Sequence, residues 1–403
     1  MRAVFTPSTP NGAVQAPPSK SAAHRRLICA GLADGVSVLS GIAPSEDVSA
    51  TVDCLRLLGA GIELSEGVAK VTGFDPRLSG GENLWCRESG STLRFLLPLC
   101  LLSNGVFHLS GKPSLFSRPL SIYEDLTKEK KVLVVRKRED TLSVRGRLPA
   151  GEYVVPGNVS SQFVSGLLFA LPLLDGDSTI KLLPPVESRS YVDLTLAALA
   201  EHGVRAEWTD ETTLSVPGGQ TYLPRDGKIE GDWSNAAPFL SLGVAVTGLD
   251  PASLQGDRRV VGFLSALDGG FAEIDLSDTP DLAPVLFAHA ALRHGGRFTG
   301  TRRLAIKESD RGEAMKTELA KCGVAVGIAE NEITVGAGAR KPTEPLFGHN
   351  DHRIVTACSI LAARLGGTVE GIEAVNKSFP DFFTKLKEIN IKVEIEDGMD
   401  IEK

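Results

Sequence analysis

Residues Ser19–Gly41 read SKSAAHRRLICAGLADGVSVLSG: a polar, cationic start, an apolar run of helical length, a turn at Gly35 and a short alternating tail ending in Gly. Ser89–Gly111, SGSTLRFLLPLCLLSNGVFHLSG, follows the same plan, as do Ser160–Leu182, Asp232–Leu249, Asp281–Gly300 and Asp351–Ile372. The polar starts, taken at Ser21, Ser91, Ser160, Ser234, Asp281 and Asp351, are separated by 70, 69, 74, 47 and 70 residues. A near-constant step of this size marks a duplicated supersecondary unit, and the short step marks a copy that has lost part of it.

Most copies carry a second helix-to-strand signal, in LRLLGAGIEL, LAALAEHGVRAEW, FLSALDGGFAEID, ELAKCGVAVGI and KLKEINIKVEI. Each closes an apolar helical pattern at Gly or Asn, residues that tolerate the left-handed helix stop, and resumes with period-two alternation. The unit therefore reads β-α-β-α-β-β. The matching stretch of the second copy, SIYEDLTKEKKVLVVRKRED, lacks the Gly and reads as shortened, so units 2 and 4 are the reduced ones. Six units divide as three and three. Turn-forming and charged residues gather at PPSK near residue 18 and at YLPRDGKIEGDW near residue 228, which places two chain crossings there. The fold class is α/β (α+β) in two lobes.

The composition fits this picture. The 403 residues, 42% hydrophobic and 23% charged, suit two lobes with ample core. A net charge of -7 provides no global basic field, so nucleic acid is not an expected partner and any anion must be met by local cations. No secretory leader or apolar run of membrane-spanning length stands out, and a cytoplasmic location is expected. The six cysteines lie among aliphatic residues without metal-ligand spacing and read as reduced core thiols.

Helix starts are favourable places for negative charge, and several here carry extra polar or cationic residues in the same turn. Lys20, Ser21 and Arg25 share one helix face; Ser160, Ser161 and Gln162 offer two hydroxyls and an amide. IKESDR packs Lys307, Glu308 and Arg311 together, HNDHR places Arg353 at a helix start, and Arg118 and Lys377 stand beside prolines or serines. Together these make a surplus of cationic donors suited to a ligand with several anionic groups.

PPSKSAAHRR, SGSTLR, SRPL, NVSSQ, SRSY, TPD, IKESDR, NDHR and NKSFPDFF, in this order, resemble the motifs of the 5-enolpyruvylshikimate-3-phosphate synthase family, from Lys20 to Phe383. The resemblance implies a two-lobed enolpyruvyl transferase fold. Residues 1–18 with 229–403 form the C-terminal lobe, which takes the first strand; residues 19–228 form the N-terminal lobe, and the active site lies in the cleft between them. It implies transfer of the enolpyruvyl group of phosphoenolpyruvate to the 5-hydroxyl of shikimate 3-phosphate, by a monomer without cofactor or metal. Carried over by position, Ser21 and Arg25 would hold the shikimate carboxylate, while Ser160, Ser161 and Ser188, with Gln162 and Tyr191 nearby, would hold its phosphate. Lys20 would serve both substrates and the chemistry. Gly90, Arg118, Gln162, Arg311, Arg353 and Lys377 would meet phosphoenolpyruvate; Asp281 would be the base, Glu308 the proton donor to the methylene carbon, and Lys307 a further substrate ligand. Two departures stand out: Arg303 where an Asn is frequent, and Glu88-Ser89 where Asn-Ala is frequent. A UDP-N-acetylglucosamine enolpyruvyl transferase would be expected to place a Cys in the GKPSLFSRPL loop, which has none. A non-catalytic anion- or RNA-end-binding relative would have no use for Glu308 beside bound phosphate.

Overall fold

Five of the six repeated units each form a four-stranded sheet with one and the same strand order. In the computed structural model, which describes residues 1–130 and 132–397, Glu152–Pro156 runs parallel to Ser178–Leu183. The latter pairs antiparallel with Thr213–Val216, and that strand pairs antiparallel with Glu207–Trp208. This spatial order of first, second, fourth and third strand recurs for Asn83–Trp85, Val106–Ser110, Thr141–Arg145 and Leu133–Arg138. It recurs again for Ala272–Asp275, Gly296–Thr299, Glu332–Val335 and Val326–Ala329. A parallel pair needs a helical crossover and an antiparallel pair only a hairpin, and the β-α-β-α-β-β sequence supplies the first between strands one and two and the second between strands three and four.

The remaining sheets borrow strands across the chain. Gly227–Lys228 supplies the first strand beside Val36–Ser40, whose sheet is completed by Val68–Thr72 and Gly61–Ser65. Arg2–Thr6 inserts between Gly367–Glu370 and Lys392–Glu396, with Leu346–Phe347 outside them. The fourth unit is a two-stranded ribbon, Ala13–Gln15 parallel to Ala245–Thr247; it lacks the closing hairpin, which accounts for the step of 47 residues. The second unit keeps all four strands and is reduced only in its helix Ser121–Glu129, nine residues against thirteen in Arg189–Glu201. Lys131, just after that shortened helix, lies outside the described residues.

The chain divides into two units, Met1–Pro17 with Gly231–Lys403, and Pro18–Glu230. The crossings come after Pro17 and Glu230, within two residues of the places where the turn-forming residues gather. In one unit Asp232 N donates to Pro17 O at 2.8 Å; in the other Ser19 N donates to Glu230 O at 2.8 Å, so each crossing strand is pinned next to a helix start.

In Pro18–Glu230 the helices Gly90–Cys100 and Ser161–Ala170 are buried nearly throughout, as apolar residues on every face require. They cross closely at Gly166, where a Cβ would fall 2.2 Å from Arg94 O and 2.3 Å from the Tyr123 hydroxyl. In the other unit Ala283–Leu292 and His352–Leu365 form the equivalent centre. The five turn residues that end the second helices, Gly59, Gly203, Gly270, Gly323 and Asn390, all have positive φ. All six cysteines are free and buried.

Candidate active site

The capping residues separate structural from functional side chains. Ser19, Ser89 and Asp232, rather than Ser21, Ser91 and Ser234 two positions on, accept the N-terminal backbone hydrogen bonds of their helices. Ser160 and Asp351 do cap, accepting from Gln162 N and Arg353 N. Helix Ala283–Leu292 has no side-chain cap, so the Asp281 carboxylate just before it is not used for capping.

In the unit Pro18–Glu230 the sequence-predicted residues cluster at four helix starts. Lys20 Nζ pairs with Asp47 Oδ2 at 2.7 Å. Arg25 is buried: it donates to Ser21 O at 2.8 Å, Tyr191 O at 2.9 Å and Thr195 Oγ1 at 2.8 Å, and stacks on Phe95 with 5.2 Å to the ring centre. Burial lowers its guanidinium to about 10, and these bonds tie the helix Lys20–Leu32 to Arg189–Glu201. Ser21 and Ser161 are half-buried at their helix starts. Ser188, buried, precedes Arg189–Glu201 in a left-handed conformation, φ 56°, and its side chain makes no capping bond to that helix; such strain in non-Gly residues gathers at functional sites.

Gly90 opens its helix against a polar wall. A Cβ there would lie 2.7 Å from Arg94 Nη1, 3.2 Å from Arg118 Nη1 and 3.3 Å from Gln162 Oε1. Arg94 donates to Gln162 Oε1 at 2.7 Å and to Pro119 O at 3.1 Å, while Gln162 Nε2 donates to Ser91 Oγ at 3.0 Å. In the sequence Arg94 is only one cation in SGSTLRF; its place beside Arg118 and Gln162 depends on the crossing of two helices, with Arg94 and Gln162 68 residues apart in the chain. Glu88 is buried, accepting from Ser114 Oγ at 2.6 Å with Lys112 Nζ at 3.6 Å, and so ties the Gly90 turn to the segment that carries Arg118. His24 is a buried brace, its Nδ1 2.8 Å from Thr51 Oγ1.

In the other unit a buried guanidinium is the centre. Arg311 Nη1 donates to Asp281 Oδ1 at 2.8 Å and Nη2 to Glu308 Oε2 at 2.8 Å, while Nε donates to Asp351 Oδ2 at 2.9 Å. Burial works against its charge, but Asp351, Glu308 and Asp281 outweigh that and hold it well above the ordinary value. Asp281 also meets Lys307 Nζ at 3.1 Å and Arg353 Nη2 at 3.7 Å. Burial pushes its carboxyl up, yet Lys307, Arg311 and Arg353 together hold it well below the usual carboxylate range. Burial lowers the Lys307 ammonium, with Arg311 and Arg303 nearby opposing its charge and Asp281 supporting it. Arg353 donates to Asn235 Oδ1 at 2.9 Å, and Lys377 Nζ to Asn350 O at 2.6 Å. Arg303 is buried and donates to Ser277 O. Asp351 is fully buried and reads in the sequence only as a helix start; Asn235, from another repeat, gives no signal there beyond its place near a cap.

Lys20, Ser21, Arg25, Gly90, Arg118, Ser160, Ser161, Gln162, Ser188 and Tyr191 thus lie in one unit, and Asp281, Lys307, Glu308, Arg311, Arg353 and Lys377 in the other. Each set joins hydrogen-bond donors to bare or capped helix starts, an arrangement suited to phosphate and carboxylate groups. The second adds two carboxylates held by different nitrogens of one guanidinium, an arrangement able to move protons.

The solved EPSP synthase of Acinetobacter baumannii has the same fold, with a TM-score of 0.80 at 22% identity over 98% of this chain and all of that one. The enolpyruvyl transferase NikO of Streptomyces tendae superposes with a TM-score of 0.74 at 15% identity, covering 98% of each chain. Among curated proteins, the 3-phosphoshikimate 1-carboxyvinyltransferase of Clostridium kluyveri is 37% identical over 97% of both chains. That of Clostridium perfringens is 36% identical over 96% of this chain and 98% of its own. The family model described as EPSP synthase (3-phosphoshikimate 1-carboxyvinyltransferase) matches residues 5–386, and the chain belongs to that family.

Proposed function

We propose that this chain transfers the enolpyruvyl group of phosphoenolpyruvate to the 5-hydroxyl of shikimate 3-phosphate and releases phosphate, a step toward chorismate and the aromatic amino acids. Family membership over nearly the whole chain supports the reaction. The observation that carries the assignment of roles is the single guanidinium of Arg311 bonded to both Asp281 and Glu308.

The chemistry is an addition followed by an elimination. The 5-hydroxyl oxygen bonds to C2 of phosphoenolpyruvate as its proton leaves and C3 gains a proton, giving a tetrahedral intermediate. C3 then returns a proton as the C2–O bond to phosphate breaks. One group must take the hydroxyl proton and another must serve C3 first as acid and then as base. In this reading Asp281 is the first and Glu308 the second. Ion-paired as it stands, Asp281 is a weak base. Anionic substrate groups on Arg311 and Arg353 compete for the charge that holds its carboxyl down, so binding raises its basicity.

Lys20, Ser21, Arg25, Ser160, Ser161, Gln162, Ser188 and Tyr191, with Asp281 and Lys307, are read as the shikimate 3-phosphate set. Lys20, Gly90, Arg118, Gln162, Arg311, Arg353 and Lys377 are read as the phosphoenolpyruvate set. Each set draws residues from both units. The chain is read as a cytoplasmic monomer; among the described residues no helix is long and apolar enough to cross a membrane.

The test is phosphate release from the pure protein with both substrates, each omitted in turn. Release that needs both supports the reaction; tight binding of shikimate 3-phosphate with no release overturns it.

A further inference from the structure

Glu318 lies on the helix Arg311–Lys321, seven residues beyond Arg311, and is fully buried. Its Oε2 accepts from Phe347 N at 2.8 Å and from Lys321 Nζ at 2.8 Å, and its Oε1 accepts from His349 Nε2 at 2.8 Å. A buried carboxylate is costly unless its acceptor positions are filled, and here two of its three donors come from one short segment of chain. That segment is strained: His349 and Asn350 are consecutive non-Gly residues with φ of 49° and 52°. Such a pair persists only where the surroundings fix it.

The anion-binding apparatus begins at this strained pair. Asn350 O accepts Lys377 Nζ at 2.6 Å. Asp351 takes Arg311 Nε at 2.9 Å and Ser309 Oγ at 3.1 Å, and caps the helix that begins with His352 and Arg353 by accepting Arg353 N at 2.8 Å. Residues 350–353 therefore hold or carry Arg311, Arg353 and Lys377 together, and Glu318 grips the chain immediately before them.

We propose that Glu318 is a positioning residue for phosphoenolpyruvate: by holding Phe347 N and His349 it fixes the left-handed turn that sets Arg353 and Lys377 in register for one anionic ligand. The inference rests on the assignment of those two cations to phosphoenolpyruvate. Glu318 touches no substrate; it acts through His349 and the turn. The bonds from Arg311 to Asp281 and Glu308 use nitrogens other than the Nε that meets Asp351 Oδ2 at 2.9 Å, so loss of Glu318 moves Arg353 and Lys377, and with them binding, more than proton transfer.

The experiment compares steady-state KM for each substrate, kcat and Tm in Glu318→Gln, His349→Ala and Arg353→Lys. Glu318→Gln keeps size but removes the charge that accepts His349 Nε2; His349→Ala removes the donor from the other side and leaves the buried carboxylate its remaining partners. The expected result is a rise of about tenfold or more in KM for phosphoenolpyruvate in both, with KM for shikimate 3-phosphate and kcat within about twofold. The double variant should add little to either single change, since both break the same link. A purely structural brace would lower Tm and leave both KM values unchanged, and that outcome overturns the proposal, as does a proportional rise in both KM values. Arg353→Lys separates the two levels. If it raises KM for phosphoenolpyruvate while Glu318→Gln and His349→Ala do not, the ligand assignment stands and the positioning role falls. If Arg353→Lys also leaves that KM unchanged, the assignment itself is wrong.

Discussion

Gly90→Ala tests the wall formed by Arg94, Arg118 and Gln162 most directly. The backbone at Gly90 is not left-handed, so space rather than φ explains the glycine. The added Cβ would sit 2.7 Å from Arg94 Nη1, where ordinary contact begins at 3.4 Å. Arg94 has little room to yield, because it is bonded to Gln162 Oε1 and Pro119 O and its guanidinium stacks on Phe163 at 5.2 Å from the ring centre. Moving it stretches the 2.7 Å bond to Gln162, a charge-assisted bond worth about 1.5–3 kcal/mol. At ~1.4 kcal/mol per tenfold, KM for phosphoenolpyruvate should rise roughly 10- to 150-fold. KM for shikimate 3-phosphate should change less, since only Gln162 of its set touches this wall and Ser160 and Ser161 do not. Tm should move little: alanine is favoured over glycine in a helix by up to about 1 kcal/mol, which offsets part of the strain. Steady-state kinetics with one substrate saturating, alongside thermal melts, gives all three numbers. An unchanged KM for phosphoenolpyruvate in a folded Gly90→Ala protein would refute the placement of that substrate against this wall.

Asp281→Asn and Glu308→Gln should each lower turnover by roughly 100-fold or more if they are the acid and base, and near-normal turnover in both would overturn those roles. Ser161→Ala should raise KM for shikimate 3-phosphate with Tm unchanged, whereas Ser160→Ala should also cost about 1 kcal/mol of stability because Ser160 caps its helix; equal melts for the two would show the cap to be unimportant. The depressed carboxyl of Asp281 gives stability that is fully present above the unfolded value of about 3.9 and is lost as pH falls toward the lower folded value. Melts of wild type and Asp281→Asn should accordingly converge below about pH 4, and a gap that widens there would contradict the ion pairing.

The repeat makes the fold legible because each unit spells its own turns. Gly59, Gly203, Gly270, Gly323 and Asn390 read as helix stops, and all have positive φ. The lost hairpin of the fourth unit is visible as a short step, while the second unit lost only helix length, a change that the missing Gly does not distinguish from loss of a strand. Site residues are legible where a motif packs them together, as in IKESDR. Sequence does not separate caps from ligands in Ser-x-Ser, since either hydroxyl can reach the helix start and the backbone entry angle decides. Arg94, Asn235, Asp351 and Glu318 escape a sequence reading for another reason: their partners, Gln162, Arg353, Arg311 and His349, come from other segments, and local spacing does not report such contacts.

Arg311 and Arg353 look interchangeable in sequence, yet their surroundings assign them different work. Arg311 is 1% exposed and meets three carboxylates at 2.8–2.9 Å, so most of its charge is already matched within the protein. Arg353 leans on the neutral Asn235 Oδ1 at 2.9 Å and reaches Asp281 only at 3.7 Å, and its Nε is a buried donor that has no acceptor among the described residues. An anion gains more from the second guanidinium than from the first, because less of its charge is matched and a donor is still to be satisfied. Arg311, besides its place in the phosphoenolpyruvate set, holds Asp281 and Glu308 on separate nitrogens and so sets where the two carboxylates stand. Lysine cannot reproduce that fork, since its single ammonium lacks the fixed planar spacing. Arg311→Lys should therefore depress kcat by roughly tenfold or more with a smaller change in KM for phosphoenolpyruvate. Arg353→Lys should do the reverse, raising KM by roughly tenfold with kcat little changed. If both substitutions shift KM and kcat in the same proportion, the two arginines share one role, and the division between holding the ligand and holding the acid and base is wrong.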